Sequence, residues 1–145
     1  MSRLNWIGLP LLLALTLSGC GSPPSVLSDN PTIALGQEFQ VASGHTATLS
    51  PDNVKVVFNG VSEDSRCPAG VQCAWAGQAV VQISVYRPNA DPVGYNLVLG
   101  SSALNADMAV SGQYVIHVQA LEPLPSDGSA VKSADYVATL LMSKK

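Results

Sequence analysis

The sequence predicts an all-β domain, an antiparallel β-sandwich. Three observations lead there. Apolar and polar residues alternate with a period of two in several short runs. Clusters of Gly, Pro, Asn, Asp and Ser separate those runs. No stretch after the first twenty residues holds a helical period over several turns.

The runs follow in order. In Glu38–Ser43, Phe39 and Val41 share a face. His45–Ser50 is a shorter candidate. In Asn53–Val61, Val54, Val56, Phe58 and Val61 are expected on the core side. Ala79, Val81, Ile83 and Val85 alternate through Gln78–Tyr86. Tyr95, Leu97 and Leu99 do so in Gly94–Gly100, and Tyr114, Ile116, Val118 and Ala120 in Gly112–Leu121. Tyr136, Ala138, Leu140 and Met142 close the set in Asp135–Met142. The stretches between them, SPDN, RPNADPVG, NADMAVSG and EPLPSDGSA, read as turns. Seven short strands at this spacing suit an immunoglobulin-like sandwich, with a small β-barrel as the alternative.

The first nineteen residues read as a signal peptide. Arg3 gives a positive start, and Leu9 to Leu17 an apolar run too short to span a bilayer, which needs about 20 residues. The run ends in Leu17-Ser18-Gly19-Cys20, which closely resembles the lipobox of bacterial lipoproteins. The resemblance implies cleavage before Cys20 and lipid on its sulfur, so that Cys20 anchors the chain to a membrane. Gly21 in place of aspartate leans toward the outer membrane, facing periplasm or cell surface, over the inner membrane. Residues 20–36, rich in Gly, Pro, Ser and Asn, read as a lipidated flexible tether, and 37–145 as the domain.

With Cys20 assigned to lipid, Cys67 and Cys73 remain as a pair in an exported compartment. A disulfide between them is the first expectation. The rivals are weaker. A zinc site wants more ligands at other spacings, with only His45 and His117 to help, and a thioredoxin-type site wants C-x-x-C at a helix start. Both histidines read as surface residues. No metal or cofactor is expected.

Composition narrows the function. Seven basic residues, one of them in the signal, face ten acidic ones, and no basic patch is visible, so nucleic acid is not an expected partner. Walker, dinucleotide, zincin and nucleophile-elbow motifs are absent, and the adjacent pair Glu63-Asp64 points to opposite faces of an extended chain. The domain therefore reads as non-enzymatic.

The segment EDSRCPAGVQCAWAG, 63–77, is the exception to the alternation. Pro68, Gly70 and the cysteine pair all restrict it. Arg66 is expected to pair with Glu63 or Asp64, and Trp75 to cover the disulfide or fill the sandwich end. A structural cap is the first reading, and a preorganised binding loop built on Glu63, Asp64, Arg66 and Trp75 the second. The pattern DSRCP-x-x-x-x-C-x-W-A-G, with a following strand, the late Glu122-Pro123-Leu124-Pro125 and a closing Tyr136-to-Leu140 strand, resembles small bacterial exported proteins and lipoproteins that carry this signature. The signature brings no activity with it. The functional expectation is a membrane-anchored binding or envelope-structural domain with an envelope protein as possible partner. The alternative is a peptidase inhibitor acting through the loop, for which Asp91-Pro92-Val93-Gly94-Tyr95 loosely resembles a loop motif of chagasin-type inhibitors.

Overall fold

The computed structural model describes residues 29–126 and 129–145. The signal segment 1–19, the lipidation site Cys20 and the tether up to residue 28 lie outside the described residues. The described residues form nine strands: β1 (Thr32–Ile33), β2 (Glu38–Ala42), β3 (Thr46–Leu49), β4 (Val54–Asp64), β5 (Ala79–Tyr86), β6 (Val93–Leu99), β7 (Met108–Ser111), β8 (Tyr114–Glu122) and β9 (Val137–Lys144). A single 3-10 turn, η1, spans Ser133–Asp135. They form two sheets, β1-β3-β4-β5-β6 and β2-β9-β8-β7, which pack as a sandwich and do not close into a barrel. The two-layer architecture is that of immunoglobulin-like domains. The chain order runs as two meanders, β3 to β6 and β7 to β9, with β2 joining the second sheet beside β9.

Alternation in the sequence becomes the core. Val54, Val56 and Phe58 of β4, Ala79, Val81, Ile83 and Val85 of β5, and Ala138, Leu140 and Met142 of β9 are all buried. Apolar surface withdrawn from water at about 25 cal/mol per Å² is the main stabilising term here. Phe58, the largest of the fully buried side chains, belongs to this inner layer.

Four expectations need correction. The boundary at residue 37 moves back, because Thr32–Ile33 pairs in parallel with Thr48–Leu49 and Ile33 is buried. The segment read as a turn, NADMAVSG, holds β7, which pairs with β8 from Met108↔His117 to Ser111↔Tyr114. In β8 the register shifts between Val118 and Ala120, so Leu121 rather than Ala120 continues the core face. Such a bulge inserts one residue and re-aims those after it. In β4 a shift between Phe58 and Gly60 leaves Val61 at the margin of the core, half-buried against it.

The ends of the sandwich are distinct. The ends of β4, β6 and β8 and the starts of β5 and β9 converge with the 63–77 segment at one end, called the loop end below. The starts of β4, β6 and β8 lie at the other.

Candidate functional site

The loop end is built around Arg66. Its Nε donates to Asp64 Oδ1 at 2.9 Å and one terminal nitrogen to Asp64 Oδ2 at 2.7 Å, a two-point carboxylate pairing. The Arg66 backbone N–H also donates to Asp64 Oδ1, at 3.1 Å, so the acid caps the turn that carries its own partner. The Tyr136 hydroxyl donates to Asp64 Oδ2 at 3.0 Å. The guanidinium reaches across the sandwich as well, donating to the carbonyls of Leu121 and, at 2.8 Å, of Pro123. Both charged side chains are nearly buried, at 9% and 8% exposure. One arginine thus ties the end of β4 in one sheet to the end of β8 in the other.

The expected pairing of Arg66 with an acid is found, and the acid is Asp64; Glu63 is exposed and outside the network. Burial on its own would raise the Asp64 carboxyl. The hydrogen bonds from the Arg66 side chain and backbone and from Tyr136 outweigh it and hold the carboxyl below the ordinary range. Its own burial first, and then the same contact with Asp64, push the Tyr136 phenol up.

Beyond Asp64 the two legs of the loop stay paired. Ser65 N donates to Gln78 O and Cys67 N to Ala76 O, each at 2.8 Å. Their approach requires glycine. Gly77 has φ +72°, and a Cβ there would sit 1.9 Å from Ser65 O. Gly100, at the end of β6, has φ +84°, and its Cβ would lie 2.7 Å from Gly77 O. The tip is closed by a Cys67–Cys73 disulfide with 5.9 Å between the Cα atoms. Ala69 N donates to Pro125 O at 2.9 Å, fastening the tip to the segment after β8.

Trp75 overturns its expectation. It is 79% exposed, neither filling the sandwich end nor buried beneath the loop. The physical reason is that the end is already filled. Ala79, Leu121 and Tyr136 are buried there, and the loop legs pair edge to edge up to Ala76. Trp75 stands where that pairing stops. Beside it opens a groove of about 390 Å³, lined by Ser65, Gly77, Gln78, Gly100 and Ser101.

The opposite end holds residues that the sequence did not single out. Tyr114 donates to Asp52 Oδ2 at 2.7 Å, and Lys144 Nζ lies 2.9 Å from the same oxygen. Lys144 first and Tyr114 second hold the Asp52 carboxyl low. These partners are 62 and 92 positions away in the chain, so no local pattern announces them. Residues 91–95 also lie here, at the start of β6, away from the cysteine loop. His117 sits 3.5 Å from Asp107. Among the described residues, no three or more His, Cys, Asp or Glu are grouped to hold a metal ion. No described helix is long and apolar enough to cross a membrane. Comparison with protein-family models, curated proteins and solved structures finds no match to the chain.

Proposed function

We propose that this is a lipid-anchored, non-enzymatic binding domain of the bacterial cell envelope, whose contact surface is the loop end around Trp75. Cys20 is the anchor, and the outer membrane its favoured location. The observation that carries the proposal is the exposure of Trp75 on a loop fixed by a disulfide, by paired legs and by the Arg66 clamp. A large exposed aromatic on a rigid support is what a binding surface needs, since little freedom is lost when it engages. Arg66 and Asp64 are the support; neither is free to meet a partner.

Trp75→Ala separates this reading from a structural cap. The expected result is a change in stability within about 0.5 kcal/mol, as for a surface substitution. Binding to the surface that the loop end meets should weaken by about 2 kcal/mol or more. Thermal unfolding, with pull-down from envelope extract and vesicle binding, reads both quantities. A stability loss of roughly 3 kcal/mol with binding intact would return Trp75 to the role of cap. The inhibitor alternative is tested by assaying the domain against cysteine and serine peptidases.

A further inference from the structure

Seven large apolar side chains are exposed among the described residues, and four of them sit at the loop end: Val71 and Trp75 in the cysteine loop, Leu104 after β6 and Leu124 after β8. Leu104 is 91% exposed, more than any of the others. Singly, such residues need no explanation, but a set at one end of a molecule marks a contact surface. The three segments that carry them are neighbours. The groove beside Trp75 is shared with Gly100 and Ser101, and Ala69 bonds to Pro125. The three apolar side chains at or near the other end, Leu35, Tyr86 and Val93, are less exposed on the whole, at 37–45%.

The chain's own direction bears on what meets this surface. β1 runs parallel to β3, and β3 runs away from the loop end, since Thr46 pairs with Val57 and Leu49 with Val54. Traced back from Thr32, the chain therefore heads toward the loop end. The Asn30 side-chain amide lies 3.3 Å from the Thr46 backbone, which keeps this approach alongside β3. Cys20 precedes Asp29 by nine residues. Even fully extended, they reach about 30 Å. The end of β4 is some six residues beyond the level of Phe58, or about 20 Å. A lipid on Cys20 would thus hold the bilayer within reach of the loop end, on the side toward which the chain points.

Resting on the lipoprotein reading above, we infer that the loop end lies against the lipid bilayer, with Trp75, Leu104, Leu124 and Val71 as apolar tips in the interface and the lipid of Cys20 as the covalent anchor. Tryptophan suits that depth, having an apolar body and a polar N–H. The contact is apolar rather than electrostatic. Among the described residues the exposed charges around it are Glu63, Glu122 and Asp135 against Lys132, so anionic headgroups are not its target. The lipid of Cys20 holds the chain at the membrane, and a second, apolar contact would fix the orientation of the domain there.

Trp6 is lost with the signal, which leaves Trp75 as the sole tryptophan of the mature chain and a site-specific probe. The lipidated full-length mature protein is reconstituted into phosphatidylcholine vesicles, with and without bromine-labelled lipid, and in a series with rising phosphatidylglycerol. The expected result is a blue-shifted Trp75 emission that bromolipid quenches and aqueous iodide does not, with no gain from phosphatidylglycerol. The double variant Leu104→Ser/Leu124→Ser should lose most of the shift, and Val93→Ser at the other end should keep it. Protein that pellets with vesicles while Trp75 stays open to iodide would overturn this inference alone and leave the surface to a protein partner. Protein that fails to pellet would remove the anchor and, with it, the orientation inferred here.

Discussion

Arg66→Ala should destabilise the domain by about 3 kcal/mol, the cost of breaking a nearly buried ion pair. It would leave the Asp64 carboxylate with only Tyr136 and a backbone N–H, and would take donors from the carbonyls of Leu121 and Pro123. In a domain of this size the melting temperature should fall by roughly 10 °C. Arg66→Lys should recover part of this at most, since an ammonium cannot reproduce the two-point pairing. Acid gives a second readout. The folded Asp64 carboxyl titrates below its unfolded value. Its contribution is therefore present above about pH 4 and is lost as pH falls through the lowered folded value. Asp64→Asn should lower stability at neutral pH and flatten this part of the acid dependence. Equal stability of wild type and Arg66→Ala would mean that the clamp contributes nothing.

Gly77→Ala should be comparably damaging, through the backbone. A non-glycine residue at φ +72° carries strain of about 1–3 kcal/mol, and the new methyl would overlap Ser65 O. The legs must separate, breaking the Ser65–Gln78 and Cys67–Ala76 hydrogen bonds. A total of about 3 kcal/mol or more is expected, read from the urea midpoint, with faster amide exchange at Ser65 and Cys67. Gly36→Ala is the control. Its φ is +74°, but nothing lies within 4 Å of the added methyl, so only the conformational cost of roughly 1 kcal/mol remains. Equal losses at the two positions would show that close approach of the legs is not what Gly77 provides.

The long strands were legible because each is half-buried and the side-chain period of a strand is two. β1 was not, because two residues after Pro31 are too few to show a period. β7 was hidden by its setting: Met-Ala-Val-Ser is apolar without alternation and lies between Asn105 and Gly112, both turn residues. The bulge that brings Leu121 into the core is likewise invisible, since Ala120 and Leu121 are equally plausible core residues by composition. At the loop, the Asp64–Arg66 pair could be read because it is local, two positions apart. Leu121 and Pro123 are 55 and 57 positions from Arg66 and Tyr136 is 72 from Asp64, and only the fold brings them to the pair. Trp75 was misjudged because tryptophan next to a disulfide ordinarily fills space. Here Tyr136, just before β9, and Leu121 of β8 are buried at that end and occupy the space.

The claim that joins these points is that Trp75 is exposed on a loop that does not move. Time-resolved fluorescence of residues 20–145 produced without the first nineteen, with Cys20→Ser, tests it directly, because Trp75 is the only tryptophan in that span. Iodide should quench it nearly as well as free tryptophan, while its anisotropy decays mainly with the tumbling of the whole domain. Reducing the Cys67–Cys73 bond should add a fast component. Protection from iodide would mean that the side chain is buried. A dominant fast decay in the oxidised protein would mean that the loop is not a rigid support, and either result would contradict the account.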